Sequence, residues 1–149
     1  MSEYHYVESG LDNVFIEGIG VLIDDNGDEV VTIPNINGLH RAIALGVIRK
    51  TSGMSGRELR FIRTEMGLTQ AQLATVLHRE PLTISRWERG ECPIEPNAEA
   101  VIRLQAAEVL EIDPEASVTE LAGWCIPSAE TPPLVIDGSD PTNYMPKAA

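Results

Sequence analysis

Residues 56–90, GRELRFIRTEMGLTQAQLATVLHREPLTISRWERG, decide how the chain is read. Within Arg57–Met66, Leu59, Ile62 and Met66 recur at helical spacing, and Gly67 can take the left-handed conformation that ends a helix. Thr69-Gln70-Ala71-Gln72 is a capping box: the Thr69 hydroxyl and the Gln72 side chain can each satisfy an orphan N–H at the start of a second helix. Leu68 and Leu73 flank that cap at the spacing of a hydrophobic staple, and Ala71, Ala74 and Leu77 predict a small, close-packing face. Pro81 fits the first position of a third helix, where its missing N–H costs nothing. Ile84 and Trp87 predict the buried face of that helix and Gly90 its end. Three short helices with a tight turn before the third suit a helix-turn-helix. Leu82, Ser85, Arg86 and Arg89 are not needed for its core, so they are the candidates to enter a DNA major groove.

The strings LTQAQLATVL and TISRWERG resemble the lambda-repressor/Cro (Xre) family of DNA-binding helix-turn-helix domains, over roughly Gly56–Leu110. The resemblance implies a DNA-binding surface made of Thr69, Gln70, Pro81, Leu82, Ser85, Arg86 and Arg89, and a structural ion pair between Arg63 and Glu88 that ties the first helix to the end of the third. Arg86 is the expected base reader, because a guanidinium can pair bidentately with guanine. Gln70 is expected to touch phosphate or to brace the third helix. Pro81 approaches the sugar-phosphate backbone in this reading, Ser85 bonds base or phosphate, and Leu82 offers apolar contact, for example to a thymine methyl. The chain departs from the family pattern at three places. His78 stands where the turn usually has Gly, Arg79 where a small buried apolar residue is usual, and Glu80 where Ser or Thr caps the helix.

Outward from this core, residues 1–33 predict a small β unit. Asn13–Glu17 and Gly20–Ile23 are short and apolar-rich, Val30–Ile33 is rich in β-branched residues, and Asn26-Gly27 is a hairpin signal. The aspartates of Asp24-Asp25-Asn26-Gly27-Asp28 lack the downstream glutamate of a calcium loop and are taken as an acidic turn. Asn37 is expected to cap a helix running to about Lys50, with Leu39, Ile43, Val47 and Ile48 as its stripe. Beyond Gly90, Pro96 opens a fourth helix over Asn97–Leu110, and Ser117-Val118-Thr119-Glu120 is a further capping box for a helix to about Trp124. The expected architecture is mostly α, a helix-turn-helix bundle preceded by a small β-hairpin unit and one helix. Its expected boundaries are 1–54 for the hairpin and helix, 55–112 for the DNA-binding domain, 113–126 for a short helical extension and 127–149 for an extended or disordered tail. Leu134-Val135-Ile136 is the one sticky patch in that tail, either a partner-binding element or a part of its own domain.

The N-terminal YHYVESGLDNVFIEG is similar to the leader of some Xre-type regulators grouped with MqsA-like antitoxins. Those antitoxins often carry a zinc ribbon, whose cysteines are absent here, so neither a metal site nor another cofactor is expected. Cys92 and Cys125 lie far apart with no C-x-x-C pair, which suits a reducing cytoplasm. His5 and His40 lack a third ligand at sensible spacing. The longest apolar run, Ala42–Ile48, is too short for a membrane span, and the polar N-terminus predicts no signal peptide. No G-x-S-x-G, P-loop or H-E-x-x-H signature is present, so an enzyme is not expected.

A net charge of −12 opposes a polyanion partner when taken as a whole, but it is segregated. Residues 1–40 carry eight acids and no Lys or Arg, residues 41–90 nine bases against four acids, and residues 91–149 two bases against eleven acids. The local field decides where DNA docks. The expectation is therefore a cytoplasmic, homodimeric, sequence-specific transcriptional regulator of the repressor kind, reading a palindromic operator in double-stranded DNA. Two other readings stay open: an antitoxin that neutralises a small basic toxin protein and autoregulates its operon, and a regulator whose β unit binds a small molecule.

Overall fold

The computed structural model describes residues 3–125 and 132–147. The chain divides into two compact units, Met1–Ile43 with Pro132–Ala149, and Ala44–Thr131. The division falls within helix α1 (Ile36–Ile48).

The first unit is built on β1 (Glu3–His5), β2 (Val14–Glu17), β5 (Leu134–Asp137) and β6 (Met145–Pro146), joined side by side in the order β1-β2-β5-β6. β1 runs antiparallel to β2 with Tyr4 opposite Ile16, and β5 runs parallel to β2 with Val14 opposite Leu134 and Ile16 opposite Ile136. β6 closes the far side, antiparallel to β5. Strands β3 (Val21–Ile23) and β4 (Glu29–Val31) form a separate hairpin. Its turn is the acidic segment expected from the sequence: Gly27 is left-handed at φ 82°, and the Asp24 Oδ1 accepts from the backbone N–H of Asn26 and of Asp28, both at 2.9 Å. An aspartate can hold such a turn through its own side chain, without a cation.

The sheet alters the reading of the C-terminal tail. The apolar triplet 134–136 is part of a strand of the first unit: it pairs in parallel with β2, and Ile136 is fully buried opposite Ile16. The return of the chain is secured by Asn13 Nδ2 donating to the Pro132 carbonyl (3.1 Å), Asn35 Nδ2 donating to the Pro141 carbonyl (3.0 Å), and the Tyr144 hydroxyl donating to the Pro34 carbonyl. Lys147 pairs with Glu17 on β2. The expected residues 126–131 of the extension and tail lie outside the described residues. A second difference concerns the start of α1. The cap is Asn35, at φ 57°, whose Oδ1 accepts from the Gly38 N–H at 3.2 Å, where the sequence reading placed Asn37. Asn is one of the few residues other than Gly that adopt this left-handed backbone at low cost.

The second unit is helical: α2 (Gly56–Glu65), α3 (Gln70–Leu77), α4 (Pro81–Glu88), α5 (Pro96–Val109) and α6 (Val118–Trp124). Three of these starts are complete capping boxes, Ser55 with Glu58, Thr69 with Gln72, and Ser117 with Glu120. Leu59 and Ile62 of α2 with its C-cap Met66, Leu73, Ala74 and Leu77 of α3, and Ile84 and Trp87 of α4 are buried, as are Ile102, Ala106 and Ala107 of α5. Ala71 faces solvent, outside the small packing face expected of it. Gly56 is required where it stands. A Cβ there would come within 2.3 Å of the Trp87 carbonyl oxygen, so the start of α2 is seated directly on the end of α4.

Candidate nucleic-acid interface

The turn between α3 and α4 fixes how the third helix of the motif is presented. His78 ends α3 in the left-handed conformation, φ 55° and ψ 45°, a geometry that Gly would take without strain and His takes at some cost. Its N–H bonds back to the α3 carbonyls, and the Arg79 N–H donates to Ala74 O at 2.9 Å. Glu80 occupies the N-cap position of α4 but makes no side-chain capping bond, and Pro81 takes the first helical position.

The far end of α4 is held by Glu88, the one carboxylate on that helix. Arg63 of α2 grips it bidentately, Nε to Oε2 at 2.6 Å and Nη2 to Oε1 at 3.0 Å, while Arg63 Nη1 donates to the Leu68 carbonyl at 2.9 Å. Gln70 Nε2 also donates to Glu88 Oε1, at 3.1 Å. The pair is nearly enclosed, with side-chain exposure of 14% for Arg63 and 4% for Glu88. One carboxylate thus joins α2, the start of α3 and the end of α4. Charged, bidentate hydrogen bonds of this kind fix geometry more firmly than neutral ones. The Gln70 amide thus adds a third bond to the end of α4.

Around this frame the other candidate residues are distributed unequally. Leu82 is 53% exposed, Pro81 and Arg86 are exposed, and Ser85 is half-buried on the same helix. The Arg86 side chain makes no hydrogen bond or ion pair among the described residues, so its guanidinium is available. Arg89 is occupied: its Nε lies 2.6 Å from Glu91 Oε2, an exposed pair that a competing phosphate could open. The Thr69 hydroxyl accepts from Gln72 N at 3.1 Å, which leaves its own O–H as a donor toward solvent.

A second ionic network was not foreseen from the sequence. Arg103, fully buried on α5, pairs with Glu99 one turn earlier at 2.6 Å. It also donates to the carbonyls of Ile48, Lys50 and Ser52, so it gathers the linker before α2 onto α5. Glu99 Oε1 takes the Met54 N–H at 3.0 Å. Beside it Lys50 pairs with buried Glu58 at 2.7 Å, and Glu58 serves at the same time in the Ser55 capping box. Cys125 lies against this cluster, and burial, opposed by Arg103 and aided by its hydrogen bond to Glu99, pushes its thiol up to about 12. At neutral pH it is a protonated packing group and a poor nucleophile. The only advance signal was the i, i+4 spacing of Glu99 and Arg103, which on most helices marks a solvated pair.

Among the described residues there is no group of three or more His, Cys, Asp or Glu able to hold a metal ion, and no helix long and apolar enough to cross a membrane. No curated protein and no solved structure gives a significant match. Residues 56–121 match the family model described as a helix-turn-helix domain, and over that segment the match supports a helix-turn-helix DNA-binding family.

Proposed function

We propose that the chain is a sequence-specific transcriptional regulator of the Xre/Cro type, a repressor that acts as a homodimer and reads a palindromic operator by laying α4 in the major groove. The observation that carries this reading is the division of labour on α4. Ile84 and Trp87 are buried, Glu88 is tied down, and Leu82, Ser85 and Arg86 face outward, with Arg86 unpaired among the described residues. A free arginine on an otherwise anchored helix is the arrangement a guanine contact needs. The surrounding charge supports it, since residues 41–90 hold nine of the eleven Lys and Arg residues. Dimerisation follows from size: one eight-residue helix spans few base pairs, and two-fold symmetry doubles the contacts on a palindrome.

Arg86→Ala and Arg89→Ala separate base reading from general attraction. On a duplex enriched by the wild-type protein from a random pool, Arg86→Ala is expected to lose about 5- to 150-fold in affinity, the equivalent of one bidentate base contact. On a scrambled duplex it should lose far less. Arg89→Ala, already neutralised in part by Glu91, should weaken both duplexes alike and only slightly. Titrations of both variants on both duplexes read this directly. Equal losses for Arg86→Ala on the two duplexes would remove it from base readout.

A further inference from the structure

The turn that aims α4 carries an ionic contact that no helix of the motif itself supplies. Arg79 sits between left-handed His78 and Glu80, the N-cap residue of α4. Its Nη2 meets both oxygens of Glu95, at 2.9 and 2.8 Å, and its Nη1 lies 3.4 Å from the carbonyl oxygens of Leu77 and His78 at the end of α3. Glu95 is the N-cap residue of α5, yet its side chain does not cap that helix. It is turned instead to the guanidinium. One arginine therefore links the last carbonyls of α3, the turn and the start of α5. Glu80 gives α4 no side-chain cap, so the clasp is the side-chain restraint found at the entry to the reading helix.

We infer that Arg79 and Glu95 form a positioning clasp that sets the entry of α4 into the groove, so that Glu95, an acid outside the motif, sharpens sequence discrimination. The inference rests on the DNA-reading role proposed above. Both side chains are more than a third exposed, 39% and 46%, so the pair adds little to global stability. Its effect is on geometry, because a charge-assisted contact in which one guanidinium nitrogen meets both carboxylate oxygens fixes the distance between the turn and the start of α5. A small displacement of a reading helix affects base contacts, which are directional, far more than phosphate attraction, which is diffuse.

The sign of the effect makes the test sharp. If Glu95 only screened Arg79, then Glu95→Gln would remove a negative charge near the DNA face and raise affinity for every duplex. The clasp predicts the reverse for the selected duplex: about a fivefold loss, equivalent to an exposed pair at the upper end of its range, with binding to scrambled duplex unchanged or slightly stronger. Melting temperature should fall by a few degrees at most, about what the loss of an exposed pair gives. The exchanged pair Arg79→Glu/Glu95→Arg should recover most of the discrimination lost in Glu95→Gln, since it restores the contact in reverse. Glu95→Gln raising both duplexes alike, or leaving both unchanged, would overturn the clasp. So would an exchanged pair that recovers nothing. A wild-type protein that enriches no sequence at all would overturn the DNA-reading proposal and the clasp together. A wild type that selects and a Glu95→Gln variant that selects as sharply overturn the clasp alone.

Discussion

Removing residues 132–149 is expected to dismantle the sheet of the first unit and leave the helical signal of the second largely intact. β5 is the middle of the sheet, parallel to β2 on one side and antiparallel to β6 on the other. Without it, β1 and β2 remain as strands of three and four residues, and an isolated two-stranded pair is marginal at best in water. Ile136 and Tyr144 leave the core with the segment, at about 1.5–3 kcal/mol of lost burial each. The ties from Asn13, Asn35 and Glu17 go as well. Amide exchange should show protection lost at Val14–Glu17 and kept in α2 to α5. The opposite expectation for a disordered acidic tail is an intact sheet and a small gain in non-specific DNA binding, since removal would only relieve charge. Unchanged protection of β2 after the deletion would contradict the sheet.

Glu99→Ala should cost about 3–5 kcal/mol of stability, the usual consequence of leaving a buried charge without its partner. Arg103 is wholly enclosed and its Nε already lacks an acceptor, so no spare group can replace the carboxylate. The Met54 N–H would lose its acceptor in the same step. Replacing both residues by apolar ones would not repair the loss, because the carbonyls of Ile48, Lys50 and Ser52 would then be orphaned. Denaturant titration at unchanged slope is the measurement. Alkylation of Cys125, fully buried in the native unit, gives an independent readout of opening. A midpoint equal to wild type would show that Arg103 finds another partner.

What was legible in the sequence was what short-range chemistry writes there. The boxes at Thr69 and Ser117 are contacts between residues three apart, so residue type and spacing suffice to find them. The exposed face of α4 was legible for the same reason, because Ile84 and Trp87 define the opposite side. The Arg63–Glu88 pair spans twenty-five positions and came from the family resemblance, since spacing alone does not specify it. Pairing between β2 and β5 was hidden by distance along the chain: Val14 meets Leu134, and nothing local announces a parallel partner so remote. Arg103 was hidden because its partners are backbone carbonyls of a linker, a feature of tertiary path and not of residue type. Arg79 looked anomalous as a residue in a tight turn, and only the position of Glu95 gives it a role.

The central question is whether α4 reads sequence. Binding-site selection from random duplex DNA with the full chain decides that most directly. It should enrich a two-fold symmetric motif, with guanine strongly preferred at one position in each half-site and with that preference absent when Arg86→Ala is used for the selection. Recovery of unenriched sequences by the wild-type protein would contradict the account. So would a motif whose guanine preference survives in Arg86→Ala.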